Sequence, residues 1–516
     1  MVIGDALNRC VKNYPDKLAF KDEYGKFFAK GVSFSYKKLN QTINCLCNNL
    51  LSLGLKKGDR VAVQTGTGTG FFISLLALLK AGLVIAPIDL TFMKDEITYQ
   101  VEDSGAKVFI VDTDIYDKKI LPIKKALTSV EYFIGIGDPD ICEYHFQTLM
   151  EKGSSREPEV QVDENDIATL IYTSSTTRHP KGVPLTHRNW LTSALIMTSE
   201  FSIHPYTRWA LFMPLHTSGG TGLSIVSACR GCSLTVSNPA IEKILRIIEQ
   251  DRITFTQFSP TLLAMMLQHP DVNKTDFSHI EKWFTSAAPI SAELLAKGAQ
   301  YLGDNFVQPY GTSETALLGT ILCPQEVTLE GPASRRLTSI GRACLGYQVK
   351  VVDGYDNELG PGETGEIAIR GDAVVNGYWN RPDEDDFRDG WWYSGDVVKI
   401  DEDGFYYVVD RRKDMIVSGG NNVSPREVED TISKHPAVNI VVVIGVSSEK
   451  WGEEVKAVIV PFEHTHITEA DIIDFCRERL ASYKKPKSVD FIDMSEMPAT
   501  GGSYKILKRV LRERYP

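Results

Sequence analysis

From the start of the chain to about Arg411, short apolar runs alternate with helical patterns. "RVAVQ" is followed by "FFISLLALLKAG", "AKVFIV" by "LPIKKALT", and "ITFTQFSP" by "TLLAMMLQ". A parallel strand pair needs a long crossover, and a helix normally supplies it, so this alternation predicts α/β layers built on mostly parallel sheets. The most apolar stretch, "FFISLLALLKAGLVIAPI" from Phe71 to Ile88, is broken by Lys80, Gly82 and Pro87. It reads as a buried helix and then a buried strand, short of the roughly 20 apolar residues that span a membrane.

The texture changes from about Ser339. "QVKVVD", "GEIAIRG" and "GFYYVVDR" are strands punctuated by Gly, Pro and Asp turns, which predicts a β-rich module. After "RRKDMIVSGGNNV" comes a compact unit: the helix "SPREVEDTISKHP", the strands "NIVVVIGV" and "KAVIVPF", and the helix "TEADIIDFCRERLASY". A boundary near Arg412 divides the chain into 1–411 and 412–516, and a chain of 516 residues exceeds what one core organises.

Composition excludes several classes. A formal net charge of -11 without a long basic block argues against nucleic-acid binding. Asp5 and Arg9 stand where a signal peptide needs an apolar core, so the N-terminus reads as an amphipathic helix of a cytoplasmic protein. The nine scattered cysteines agree with a reducing setting. Cys229-Arg-Gly-Cys232 has no second pair and reads as a helix end turning at Gly231.

Two loops have the look of phosphate sites. "TGTGTG", Thr65 to Gly70, places Phe71 where a dinucleotide loop needs its third glycine, so it is read as a turn. "YTSSTTRHPKGV", Tyr172 to Val183, follows the buried strand "DIATLIYTS" and precedes the helix "THRNWLTSALIMTSEF", with Thr186 as N-cap. Hydroxyls, backbone N–H groups and a lysine can bind phosphate oxygens, although GxxxxGK[ST] is absent. Taken alone, such a loop is more often just a solvated turn.

Its neighbours along the chain resolve the ambiguity. The stretch resembles the phosphate loop YTSGTTGxPKGV of the acyl-adenylate-forming superfamily, which includes acyl-CoA synthetases, luciferases and peptide-synthetase adenylation domains. In family order follow "MPLHTSGG" (Met213–Gly220), "SAAPIS" (Ser286–Ser291), "QPYGTSE" (Gln308–Glu314), "GETGEIAIRG" (Gly362–Gly371), "YSGDVV" (Tyr393–Val398), "VDRRKDMIVSGGNNVSPREVE" and "PATGGSYKILKR". The resemblance covers nearly the whole chain. It implies a large N-terminal domain of two αβ subdomains and a β-barrel, with a small mobile α+β C-terminal lid. It also implies ATP, magnesium and coenzyme A: a carboxylic acid is activated to acyl-AMP with release of pyrophosphate, then passed to a thiol.

The resemblance also implies roles, residue by residue. Thr173, Ser174, Thr176, Thr177 and Lys181 form the phosphate loop, and the first, as its strand-side edge, adjoins the β- and γ-phosphate contacts of the others. Glu314 is the magnesium ligand, since a hard cation takes carboxylate oxygen. Ser313 meets the α-phosphate, Tyr310 and Gly311 with Ala287 and Ala288 flank the adenine, and Asp396 with Arg411 takes the ribose. Lys505 is the catalytic lysine between carboxylate and α-phosphate, where an ammonium offsets the repulsion of two anions. Lys413 is the hinge of the lid, and Gly419 and Gly420 edge the pantetheine tunnel. His216 is the gate between acyl pocket and thiol tunnel; Thr217, Gly219, Ser286, Pro309 and Gly311 line the pocket.

Three departures stand out. Ser175 and Arg178 replace phosphate-loop glycines; Pro309 replaces a small residue and narrows the pocket; and the interval from Pro498 to Lys505 is one residue longer than in the family pattern, with Tyr504 before the lysine, which leaves Lys508 and Arg509 as alternatives. The pocket favours a small or flat acid. No Asp follows His216 before position 229, where amino-acid-activating relatives keep one for the substrate ammonium. A coenzyme A ligase, an enzyme that loads a carrier protein's phosphopantetheine arm, and a non-catalytic binding protein of the same fold all fit these residues.

Overall fold

The computed structural model describes residues 1–173, 180–286, 288, 290–326, 331–411, 414–418, 421–448, 451–462, 465–499 and 506–515. Among these residues the strands form four sheets. One has seven strands; Arg60–Gln64, Val84–Pro87, Val108–Asp112, Tyr132–Ile136 and Ile167–Thr173 lie parallel in it, and Lys181–Thr186 closes one edge antiparallel. A second has nine strands and a parallel core of Leu18–Asp22, Ser233–Val236, Arg208–Leu211, Phe255–Phe258, Lys282–Thr285 and Phe306–Tyr310. The expectation of α/β layers on mostly parallel sheets holds.

The apolar run at Phe71 explains how the layers join. The helix Thr69–Lys80 is buried along its whole length, and the strand Val84–Pro87 follows. Phe72 of this helix stacks on Phe20 of the nine-stranded sheet, with centroids 4.2 Å apart. A helix with an αβ layer on each side has no solvent face, so its sequence is apolar all round instead of striped. The "TGTGTG" turn caps it. Asp22 Oδ2 accepts from Thr69 N and Oγ1, both at 2.8 Å, and Asp112 Oδ2 accepts from Gly66 N at 2.9 Å. Carboxylates of the protein occupy the donors that a phosphate would need, which confirms the turn.

The β-rich module is an antiparallel sheet of five strands, including Tyr347–Val352, Thr364–Gly371, Trp391–Ile400 and Tyr406–Arg411. The fourth sheet contains Ile416–Ser418, Val438–Ser448, Gly452–Pro461 and Ser488–Phe491, with the helices Pro425–Ile432 and Glu469–Arg477 against it. Its buried cluster, from Ile416 to Val489, contains no residue before Ile416. Asp410 connects the last strand of the module to this unit: its Oδ2 accepts from Ser424 Oγ at 2.9 Å and from Arg426 N at 3.1 Å.

Three expectations need correction. The stretch Leu121–Ala126 is a 3-10 helix after a π turn at Tyr116–Ile120, because Pro122 at its start cannot continue an α-helical ladder. The last long helix stops at Arg477 instead of continuing to Tyr483. Lys181 also does not sit on a strand-to-helix connection. Lys181–Thr186 is itself a strand, with Thr173 opposite Lys181, and the helix His187–Glu200 begins only after it. Val183 favours the pleat, and Pro184 is tolerated because this strand lies at the sheet edge. The expected N-cap is present: Thr186 Oγ1 accepts from Asn189 N at 3.1 Å. Gly231 ends the helix Ser218–Arg230 at φ +87°, and the flanking Cys229 and Cys232 are free, buried thiols raised above their ordinary range by burial.

Candidate active site

Among the described residues, Tyr310, Asp396 and Arg411 come together where the C-terminal strand ends of the nine-stranded sheet face the β-rich module. The strand Phe306–Tyr310 delivers Tyr310, and the turn after it carries Gly311, Ser313 and Glu314. This turn is tight: a Cβ on Gly311 would lie 2.3 Å from Leu317 O, and Ala316 and Leu317 hold positive φ of 47° and 82°. Such backbone is costly for residues other than glycine and persists where surrounding packing enforces it.

Across from it, Trp391–Ile400 and Tyr406–Arg411 present Asp396 opposite Arg411 in register. Tyr310 donates its hydroxyl to Asp396 Oδ2 at 2.7 Å, and Arg411 Nε lies 2.9 Å from Asp396 Oδ1. The guanidinium N–H points off that oxygen, so Oδ1 is buried and ion-paired but receives no hydrogen bond. Burial and the adjacent carboxylate hold the Tyr310 phenol well above its ordinary pKa, and Asp396 raises Arg411 further. Tyr310 therefore stays a phenol and Arg411 a guanidinium, with one buried Asp396 oxygen lacking a hydrogen bond between them.

Glu314 is buried, and its Oε1 accepts from Tyr378 OH at 3.0 Å. No cation pairs with it among the described residues. A buried carboxylate with only a neutral donor fits a hard cation completed by phosphate oxygens. The Tyr378 ring also faces Lys181, whose ammonium is 4.6 Å from the ring centroid. Lys181 Nζ lies 2.6 Å from Glu384 Oε2 and 2.8 Å from Asp386 Oδ2. Burial opposes the charge on Lys181, but the hydrogen bonds it donates to the two carboxylates raise its pKa overall. Thr173 is half-buried beside it, its hydroxyl 3.4 Å from Lys181 O.

On the acyl side, His216 precedes the helix Ser218–Arg230 and lies with Nε2 3.4 Å from Asp89 Oδ2. Thr217 is the N-cap of that helix, accepting from Gly220 N at 3.1 Å and donating to Pro214 O at 2.8 Å, so its hydroxyl is already occupied. A Cβ on Gly219 would stand 2.9 Å from Met213 Cε. Ser286 Oγ accepts from Gln257 Nε2 at 2.8 Å; Pro309 is half-buried and Ala288 exposed.

Ser174, Thr176, Thr177, Ala287, Lys413, Gly419, Gly420 and Lys505 lie outside the described residues, as do Ser175 and Arg178. The alternatives to Lys505 both have partners: Lys508 pairs with Glu429 at 2.8 Å and Arg509 with Glu513 at 2.7 Å. The sequence reading missed Tyr378, Glu384, Asp386 and Asp89. Tyr378 and the two acids sit in "GYWNRPDEDDF", whose acidic run reads as an ordinary solvated turn until Lys181 is brought to it. Thr312 was missed as well; its Oγ1 is buried without a hydrogen-bond partner beside Ser313.

Residues 7–379 match the family model of the AMP-binding enzyme, and residues 427–502 match the AMP-binding enzyme C-terminal domain. A feruloyl-CoA synthase from an Amycolatopsis species is 32% identical over 492 residues, covering 94% of this chain and 94% of that protein. A long-chain-fatty-acid–CoA ligase of Mycobacterium tuberculosis is 33% identical over 488 residues, covering 94% and 93%. The solved structure of the anthranilate CoA ligase AuaEII in complex with anthranoyl-AMP superposes with a TM-score of 0.90 at 25% identity, covering 100% of this chain and 97% of that one.

Proposed function

This chain belongs to the AMP-binding enzyme family, and from that premise we infer how its residues divide the work of an AMP-forming acid–CoA ligase. The enzyme activates a carboxylic acid with ATP and transfers the acyl group to coenzyme A. A carboxylate oxygen attacks the α-phosphorus, pyrophosphate leaves, and the thiol then displaces AMP from the acyl carbon.

The observation that carries the assignment of residues is the Tyr310–Asp396–Arg411 triad. Its buried Asp396 Oδ1, which lacks a hydrogen bond, suits a ribose hydroxyl, and the Tyr310 ring suits the base. In this reading Ser313, with Thr312, meets the α-phosphate. Lys181 meets the β- and γ-phosphates together with Thr173, Ser174, Thr176 and Thr177, and Gly311, Ala287 and Ala288 border the adenine. Glu314 would hold magnesium, which neutralises phosphate charge as pyrophosphate departs. Lys505 is the catalytic lysine; that Lys508 and Arg509 are ion-paired within their own unit supports the choice.

We place the lid at 412–516, with Lys413 as hinge and Gly419 and Gly420 at the pantetheine tunnel. The self-contained cluster beginning at Ile416 supports this division. A cytoplasmic setting is part of the same reading, supported by nine free cysteines. No helix among the described residues is long and apolar enough to cross a membrane. A carrier protein's phosphopantetheine arm would present the same thiol, and coenzyme A is preferred because the matched relatives are named as CoA ligases.

The acid has an uncharged tail and is flat or short. The pocket candidates Thr217, Gly219, Ser286, Pro309 and Gly311 carry no formal charge, and Gly311 lies too close to the Leu317 carbonyl for a side chain. The test is pyrophosphate release across a panel of aromatic, short aliphatic, long-chain and dicarboxylic acids, with and without coenzyme A. Turnover that requires coenzyme A and is fastest for aromatic acids supports the reading. Preference for a dicarboxylate or a long chain overturns the substrate assignment, and adenylate formed without transfer to coenzyme A overturns the acceptor.

A further inference from the structure

His216 and Asp89 come from different layers. Asp89 follows the strand Val84–Pro87 of the seven-stranded sheet, and His216 follows the strand Arg208–Leu211 of the nine-stranded one. Asp89 is firmly anchored. Its Oδ1 accepts the N–H and the hydroxyl of Thr91, both at 2.7 Å, and its carbonyl accepts from Gln64 Nε2 at 2.9 Å. The free oxygen, Oδ2, faces His216 Nε2 at 3.4 Å. Nε2 is sealed from solvent and its N–H direction misses Oδ2, so the contact is an ion-pair distance that a small turn of the ring would convert to a hydrogen bond. Catalytic hydrogen bonds are often long before substrate closes the site. No described residue makes a hydrogen bond to Nδ1.

We propose that Asp89 is a positioning residue for thiol transfer: it holds His216 with Nε2–H towards the carboxylate and the Nδ1 lone pair towards the cleft, where Nδ1 takes the proton of the coenzyme A thiol. This rests on the acid–CoA ligase reading. As the S–H bond breaks, its electron pair forms the C–S bond to the acyl carbonyl carbon. The C–O bond to the AMP phosphate then breaks, AMP leaves with that pair, and His216 returns its proton to solvent through the cleft. The carboxylate is available for this at any working pH: burial opposes its charge, but His216 and Thr91 lower the Asp89 carboxyl to about 2.

The charged groups on neighbouring elements are already engaged. Lys119 Nζ bonds Leu90 O and Phe92 O, at 2.5 and 2.9 Å, and so braces the Asp89 loop. Across the Thr65–Gly70 turn, which meets the His216 loop through Leu215 N and Thr67 Oγ1, Lys26 pairs with Asp112 and Asp22 caps Thr69. Glu314 and Asp396 serve the nucleotide side.

The experiment compares Asp89→Asn, His216→Ala and the double variant, each supplied with acyl-AMP and coenzyme A in single turnover from pH 6 to 9, with ATP–pyrophosphate exchange in parallel. Asp89→Asn is expected to slow thiol transfer on the order of tenfold near pH 7, a part of the ~10²–10⁴ that a positioned base contributes. The KM for coenzyme A should change by less than about twofold, and exchange should fall far less than transfer. The deficit should narrow towards the alkaline end of this range, where more of the thiol ionises without a base. The double variant should be no slower than His216→Ala. Thr91→Val, which removes one anchor of Asp89, should show the same pattern more weakly and serves if Asp89→Asn folds poorly. Equal losses in both half-reactions, unchanged transfer, or a deficit independent of pH would each overturn the proposal. A wild-type enzyme that forms no thioester overturns the ligase reading instead.

Discussion

Lys181 has two carboxylates where the proposed function puts a triphosphate, so nucleotide must displace Glu384 and Asp386 from its ammonium. The size of that competition follows from the geometry. Separations of 2.6 and 2.8 Å correspond to strong attraction, but the acids are 29% and 38% exposed and the lysine 12%. Solvent screening at the acids reduces each pair to about 1 kcal/mol. Two pairs give about 2 kcal/mol, and with tenfold for each 1.4 kcal/mol that is roughly 25-fold in affinity. Glu384→Gln and Asp386→Asn should each tighten ATP–magnesium binding about fivefold, and the double variant about 25-fold, measured by calorimetric titration and by the KM for ATP in exchange. The gain should shrink as salt rises and vanish in a Lys181→Ala background. Weaker ATP binding in the double variant would refute the reasoning, because the carboxylates would then be aiming Lys181 at the phosphates instead of competing for it.

Asp396→Asn removes the charged acceptor between Tyr310 and Arg411 and should raise the KM for ATP by at least tenfold, whereas Tyr310→Phe, which loses one hydrogen bond to a charged group, should cost about 2 kcal/mol in ATP affinity by titration. Gly311→Ala should lower kcat more than 100-fold and reduce the melting temperature, since its Cβ would stand 2.3 Å from Leu317 O and displace the turn that carries Glu314. His187 is buried with Nδ1 facing Ile3 N at 3.4 Å, and desolvation lowers its pKa from 6.5 to about 4. Below about pH 6.5 the unfolded chain binds a proton that the folded one refuses, so stability falls as pH drops towards 4, by about 3 kcal/mol in total from this group. The melting temperature of His187→Gln should therefore fall less than that of wild type between pH 7 and 4; parallel curves would show that His187 does not titrate this way.

Much of the molecule was legible in one dimension because its signals are local. Periodicity and turn residues identified the buried helix at Phe71, the N-cap at Thr186 and the turn at Gly231, and each depends on a few neighbouring residues only. The ordered motifs likewise pointed to Tyr310, Glu314, Asp396 and Arg411, which the fold brings together. What only the tertiary structure decided are pairings between distant segments. Nothing near "PKGV" says that Lys181 lies on an edge strand facing Glu384 and Asp386, more than two hundred residues on, and nothing in "PIDL" says that Asp89 meets His216. A carboxylate looks the same in sequence whether it faces water or a cation. Which one it faces depends on how two sheets and a β-rich module pack, through contacts that no run of neighbouring residues contains.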